Sequence, residues 1–308
     1  MKKDLAVIVF VLLLAVFSFS KTLTLWTIYG ETTTEYKKLV EYTKEYTSKT
    51  KINIDIVPVT DLTDFDTKLR VAAPSGQGPD IIATASHDGI GRWAEMQLLM
   101  KLDGQVDEKI LNSFTSSSIQ GVTYKGHIYG FPLSVESIGM VYNKDLISTP
   151  PKDWNEIIDL SKNLKSKGLY GIVFPAVEPY HSYAIIRGFG GYIFSWENGE
   201  YVVDNIGLNN EGTIEAIKFI KKLFDDGILP IELMDRTATH SLSTGSFEEG
   251  KAAIQLNGPW VLPGLKERGV NYGVSKIPVL PNGQDPKPFM GIQFVGINNF
   301  SKNKKEAL

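Results

Sequence analysis

The sequence predicts an α/β protein of two lobes, each a mainly parallel sheet flanked by helices. Three observations carry that prediction. A chain of 308 residues is long enough for two cores, since domains most often hold about 100–150 residues. Residues 22–84 read as strand, helix, strand, helix, strand, an order that implies parallel pairing through crossover helices. Pro150-Pro151 then interrupts the pattern, and the same alternation starts again beyond it. With 43% hydrophobic and 22% charged residues, the composition is that of a globular chain rather than a disordered or membrane-embedded one.

Lys2 and Lys3 precede an unbroken apolar run over residues 5–17, and Ser18 and Ser20 offer small residues at −3 and −1 of a cut before Lys21. This is the pattern of a secretory signal peptide, and the run is shorter than the ~20 apolar residues that span a bilayer. Cleavage after Ser20 would leave an exported chain with a formal charge of −4. There is no cysteine, so export brings no disulfides, and thiol catalysis, thiolate metal sites and lipidation of an N-terminal cysteine are excluded. Lysine and arginine total 32 against 35 acids, without a long basic block, so nucleic acid is not an expected partner.

In the first lobe, residues 22–28 alternate with period two and form a strand. Tyr29, Gly30 and Glu31 turn the chain into a helix. Thr32 and Glu35 are spaced as its capping box, and Tyr36, Leu39, Val40 and Tyr46 share its apolar face. Residues 52–59 are β-branched and alternating, a second strand. A helix over 64–73 ends in the Pro/Gly-rich turn 74–79, and residues 80–84 form a short buried strand. His87 and Asp88 follow at its carboxyl end, where open α/β sheets hold ligands. Glu31 occupies the equivalent place after the first strand. Either acid could instead cap the helix that follows it.

Residues 124–145 read as two extended runs meeting at Glu136. Pro132 closes the first, and its fixed φ and missing N–H suit a strand edge or a crossing between lobes. Glu136 is either an ordinary exposed strand residue or a group aimed into a cleft. Beyond the proline pair, a helix presents Trp154, Ile157, Ile158 and Leu164, and residues 169–174 form the next strand. Glu178 and Tyr180 lie at that strand's carboxyl end. Gly188, Gly190 and Gly191 mark a loop and lack the spacing of a phosphate-binding fingerprint. A short peripheral strand at 201–204, a helix over 211–224 and a helix closing at 247–250 come next. Strand 252–256 leads into Asn257-Gly258-Pro259-Trp260, where Pro259 fits a first helical turn and Trp260 faces either a cleft or the core. Residues 271–274 and 291–297 are further extended runs, the second placed to cross back between lobes. A helix begins at 301–308, and the sequence reads as a fragment.

Asp88, Glu136 and Glu178, with Tyr180, Trp260 and Tyr29, thus fall at strand ends. Carboxylates accept hydrogen bonds from hydroxyls, and aromatic faces stack on the apolar faces of sugar rings. That combination suits a neutral carbohydrate, although paired carboxylates also serve glycoside hydrolysis. His87, His127, His181 and His240 have no metal-ligand spacing, and no Gly-x-Ser-x-Gly elbow marks a serine nucleophile. A structural or regulatory remnant, the third class, would show no ligand-induced stabilisation.

A further set of local patterns runs from Leu23 to Leu308: Gly78-Pro79-Asp80-Ile81-Ile82, His87-Asp88, Val135-Glu136, Val141-Tyr142-Asn143-Lys144-Asp145-Leu146, Pro151 to Trp154, Glu178-Pro179-Tyr180, Gly190-Gly191-Tyr192, Asn257-Gly258-Pro259-Trp260, Asn271-Tyr272-Gly273-Val274 and Lys287-Pro288-Phe289. Together they resemble the periplasmic solute-binding proteins of ABC-type sugar importers, and are most similar to the maltose/maltodextrin-binding proteins. The resemblance implies a two-lobed periplasmic binding protein (Venus-flytrap) fold lacking its C-terminal helical part. It implies an N-terminal lobe of residues 21–132 plus about 270–308, an incomplete C-terminal lobe of 133–269, and crossings near 130–140 and 285–298. It implies that Glu31, Asp88, Glu136, Glu178 and Tyr180 hydrogen-bond sugar hydroxyls and that Trp260 stacks on a glucose ring. It also implies a periplasmic monomer without cofactor, metal or catalytic residues. Such a protein binds maltose or short maltodextrins and, by hinge closure, delivers them to the permease subunits in the membrane. The chain departs from the pattern in three places: Thr32 stands for a lysine, Ala85 for a tryptophan with an extra residue nearby, and Gly89 for an arginine.

Overall fold

The computed structural model describes residues 21–197 and 200–308; the expected signal peptide, residues 1–20, lies outside the described residues. The chain divides into two compact units, one comprising the chain up to Ser134 together with Ile292–Leu308, the other Val135–Gly291. In chain order the first contains β1 (Thr22–Thr27), α1 (Thr34–Thr50), β2 (Asn53–Pro58), α2 (Leu62–Ala72), β3 (Ile81–Ser86), α3 (Ile90–Glu95), α4 (Glu108–Leu111), α5 (Ser116–Gly121), β4 (Thr123–Tyr124) and β5 (His127–Ile128). β6 (Phe131–Ser137) carries the chain into the second unit. There follow β7 (Gly139–Asn143), α6 (Trp154–Lys165), β8 (Tyr170–Val173), α7 (Pro179–Gly188), β9 (Phe194–Glu197), β10 (Glu200–Ile206), α8 (Glu211–Asp225), α9 (Thr239–Glu248), β11 (Ala252–Asn257), α10 (Leu262–Glu267) and β12 (Tyr272–Ser275). β13 (Met290–Ile297) returns the chain to the first unit, which ends in α11 (Lys304–Ala307).

The first sheet has the order β2-β1-β3-β13-β6. β1 pairs in parallel with β2 and β3, as the strand–helix–strand order requires. Pro132 sits on the edge strand β6, where a missing N–H is tolerated. The extended run expected from Tyr124 is instead interrupted by the β4–β5 hairpin. Lys125 and Gly126 turn it at φ 47° and 76°, the left-handed pair that matches strand twist. Helix α1 starts one residue later than its expected capping box. The Thr33 N–H bonds to the Gly30 carbonyl at 3.0 Å, and Thr33 rather than Thr32 caps the helix, accepting from the Tyr36 N–H at 3.1 Å. In the core, Phe65 packs edge-on to Trp26 at 6.2 Å and lies 6.1 Å from Trp93, which meets Phe294. Ala307 of α11 packs against the cluster of Leu23, Leu25, Ile81 and Ala83, and Lys21 pairs with Glu306 at 2.7 Å.

β13 runs antiparallel to β3, and its register shifts from Phe294↔Ala85 to Val295↔Ala83, leaving Thr84 as an extra residue. This bulge coincides with the extra residue noted beside Ala85. Thr84 has φ 59°, a conformation that costs a β-branched residue energy unless its surroundings impose it. Here the buried hydroxyl donates to the Ala83 carbonyl at 2.6 Å, meets the Thr27 hydroxyl at 2.7 Å and accepts from the Ile28 N–H at 3.2 Å. A bulge re-aims the chain beyond it, which here runs through Ala85 and Ser86 to His87 and Asp88.

The second sheet, ordered β12-β7-β11-β8, is mixed rather than mainly parallel. β11 is parallel to β8, whereas β7 is antiparallel to both β11 and β12. β8, β11 and β12 each arrive through a helix and run the same way. β7 brings the chain in from the first unit, with no crossover helix to restore its direction. Because β12 pairs with β7 from Tyr272↔Asn143 to Ser275↔Met140, residues 270–291 belong to the second unit and not to the N-terminal lobe as expected. Helix α6 buries Trp154, Ile157 and Leu164, and α8 buries Ala216, Ile220 and Leu223. Among the described residues, no helix is long and apolar enough to cross a membrane.

Candidate functional site

In the second unit the predicted residues gather around Tyr180. Glu178 occupies the N-cap position of α7, with Pro179 pre-set for the first turn. Its side chain makes no capping bond, and its carboxylate instead faces the Arg236 guanidinium at 3.6 Å. Tyr180 follows in that first turn. Its ring lies 6.0 Å from the Trp260 indole and 5.8 Å from Phe289, nearly parallel to the latter. Trp260 sits on a single 3-10 turn, Pro259–Val261, at the end of β11 and is 45% exposed, which settles the choice between core and surface. Gly258 permits this placement, because a Cβ there would overlap the indole.

Glu136 comes to the same place from β6. It lies next to the end of that strand rather than between two extended runs, and it is half-buried. A Cβ added to Gly291 would lie 2.9 Å from Glu136 Cγ, 3.1 Å from its Oε1 and 3.3 Å from the Tyr180 hydroxyl. Carboxylate and phenol therefore approach each other over bare backbone. Burial, and then the Glu136 charge, push the Tyr180 pKa up, so the phenol keeps its proton and can donate. Gly291→Ala is expected to displace Glu136 and lower ligand affinity at least tenfold. A titration that finds affinity unchanged would show that the contact is not needed.

His181, the next residue of α7, is 3% exposed, and neither ring nitrogen has a hydrogen-bond partner of good geometry. Its ring lies 5.8 Å from Tyr180 and 5.2 Å from His240. Burial, reinforced by His240, lowers its pKa to about 4, while Asn257 and Glu178 pull weakly the other way. A histidine with a depressed folded pKa takes up its proton more readily in the unfolded chain. Stability is therefore complete above pH 6.5 and falls as pH drops from 6.5 towards 4, by roughly 3 kcal/mol. Urea unfolding at pH 7 and pH 5 should show about 2 kcal/mol of this loss, and His181→Gln should flatten it. An unchanged acid limb in that variant would assign the loss to other groups.

In the first unit, Asp88 lies in the 3-10 turn His87–Gly89 after the bulged strand β3, and His87 Nδ1 accepts from the Ile292 N–H at 3.2 Å. Neither Asp88 nor Glu31 caps a helix: Thr33 caps α1, and α3 begins without a side-chain cap. Asp88 lines a cavity of about 140 Å³ with Ile28, Phe65, Asp66 and Arg92. Glu31 does not line it and stays in the exposed turn after β1. A cavity of about 660 Å³ beside Lys101, Tyr129 and Lys304 contains none of the predicted residues. Sequence reasoning did not single out Phe289, Arg236, Asp66 or Arg92. Lys287-Pro288-Phe289 was the one available signal, since its aromatic residue precedes a glycine-marked strand. Among the described residues, no group of three or more His, Cys, Asp or Glu could hold a metal ion.

Residues 30–308 match the family model of the bacterial extracellular solute-binding proteins, and the chain belongs to that family. It is 34% identical over 249 residues to the maltotriose-binding protein of Pyrococcus abyssi, an alignment covering 79% of this chain and 52% of the relative. It is also 34% identical over 242 residues to the galactooligosaccharide-binding protein of Bacillus subtilis, covering 78% and 56%. The maltodextrin-binding protein of the same organism is 33% identical over 263 residues, covering 83% and 61%. The chain thus spans between half and two thirds of the length of these curated relatives.

Proposed function

We propose that this chain is the sugar-binding part of an extracytoplasmic solute-binding protein, and that it holds maltose or a short maltodextrin without hydrolysing it. The observation that carries the reading is the cluster in the second unit, where Tyr180 touches Trp260 on one side and approaches Glu136 on the other. An indole and a phenol offer flat faces to pyranose C–H groups, while the carboxylates of Glu136 and Glu178 accept from hydroxyls. Glu31 and Asp88 add acceptors from the first unit. The names of the relatives support an oligosaccharide, with α-glucans and galactooligosaccharides as the two classes to compare. Export through a signal peptide cleaved after Ser20, a monomeric state and delivery to an ABC permease complete the proposal. Hinge closure about β6 and β13, the strands that carry the chain between units, precedes delivery.

Calorimetric titration with maltose, maltotriose, trehalose and a galactooligosaccharide tests the reading, with reducing sugar followed in parallel. Saturable heat with maltotriose and no released sugar is the expected result. Turnover would identify a hydrolase. A response confined to the galactooligosaccharide would reassign the sugar, and no binding to any of the four would leave a chain without this function.

A further inference from the structure

On the β9–β10 hairpin, Trp196 pairs directly with Tyr201, and the two rings meet edge to face at 4.7 Å. Phe194, two residues before Trp196 on the same strand, shares their face. Trp196 is 48% exposed and Tyr201 66%. The other face of the hairpin is polar, with Glu197 Oε1 accepting from the Ser195 hydroxyl at 2.9 Å and from the Asn205 amide at 3.4 Å. Rings left in water forgo the burial that is their usual contribution to a fold, and a contiguous exposed apolar face marks recognition. We propose that Trp196 and Tyr201 are an outer contact for oligosaccharides too long to end at Tyr180, giving the second unit a preference for longer chains; this rests on the sugar-binding reading above.

Continuity with the Tyr180 cluster argues for a sugar as the occupant. Phe289, which lies 5.8 Å from Tyr180, is stacked on Tyr183 at 3.9 Å, with the two rings within 5° of parallel. Tyr183 stands three residues after Tyr180 on α7, on the same side of that helix. Burial raises the Tyr183 pKa, Arg187 and a hydrogen bond with the Ile193 backbone oppose the rise, and the Tyr201 phenol adds to it. The same neighbours place Tyr183 beside the residue that precedes β9 and beside the hairpin's own tyrosine. Aromatic groups thus run from Trp260 through Tyr180, Phe289 and Tyr183 to Tyr201 and Trp196, all within the second unit. The last two end in an O–H and an N–H and carry no charge, so they offer a polyol both a flat apolar face and a hydrogen-bonding tip.

Calorimetric titration of the full chain with maltotriose and maltoheptaose, using wild type, Trp196→Ala, Tyr201→Ala, Trp196→Phe and Trp260→Ala, tests the assignment. Wild type is expected to bind maltoheptaose about fivefold more tightly than maltotriose, the scale of one further aromatic contact. Trp196→Ala and Tyr201→Ala should abolish that advantage while maltotriose stays within about twofold of wild type. Trp196→Phe should keep part of the advantage, and it decides the matter if the alanine variant does not fold. Trp260→Ala, which acts at the Tyr180 cluster, should weaken both sugars alike. Hairpin variants that weaken both sugars equally, hairpin variants that keep the full preference, or a wild type without any preference would each overturn the outer contact and leave the sugar-binding reading standing. Wild type that binds neither glucan overturns the maltodextrin reading and the outer contact with it.

Discussion

Trp154→Ala is expected to destabilise the second unit by about 3–5 kcal/mol, the range for removing a large aromatic from a packed core. Trp154 is fully buried at the start of α6, with its ring 5.1 Å from Phe219 and 6.3 Å from Phe174, both edge-on. These contacts join α6 and α8 to the end of β8. The indole N–H has no hydrogen-bond partner, so the loss is one of packing and transfer rather than of a polar contact. The helix start should survive, because Asp153 still caps it by accepting from the Glu156 N–H at 3.0 Å. Hydrogen exchange resolved by segment is the appropriate measurement: protection of α6 and β8 should fall while that of α2 and β3 stays constant. A loss below about 1 kcal/mol would mean that the neighbours collapse into the vacated space.

Trp260→Ala should do the reverse, leaving stability nearly unchanged and weakening sugar binding by about 2 kcal/mol, or about thirtyfold. The indole is 45% exposed and rests on a short turn, so little of the core depends on it. Its ring stands 6.0 Å from Tyr180 at 54°, which leaves a face available for stacking. Trp260→Phe should recover part of the loss, because a smaller ring still stacks. Unchanged calorimetric affinity in the alanine variant would remove the Tyr180 cluster from the proposed binding surface.

Legibility differed between elements for identifiable reasons. The first three strands and the helices between them were readable because alternation of period two and period 3.6 depends on local sequence alone. The start of α1 was misplaced by one residue, since Thr32 and Thr33 are equally good caps by type and the Gly30 turn decides between them. The Lys125-Gly126 hairpin has no such local signature, because a lysine at positive φ is rare. In the second sheet, the assignment of residues 270–291 failed because strand pairing is non-local: β12 joins β7 across about 130 residues.

By itself the sequence determined which residue types stand at strand ends, and hence the chemistry: Glu136, Glu178, Tyr180 and Trp260 in one unit, Glu31 and Asp88 in the other. It also determined the presence of Gly258 and Gly291, whose missing side chains make room for Trp260 and for Glu136. Only the tertiary structure decided which of these meet. The ring contacts of Tyr180 with Trp260 and Phe289, its approach to Glu136 over Gly291, and the anchoring of Arg92 by Asp66 join residues distant in sequence. Local propensities act over a few residues, whereas such meetings are set by sheet order, the Thr84 bulge and the packing of each core.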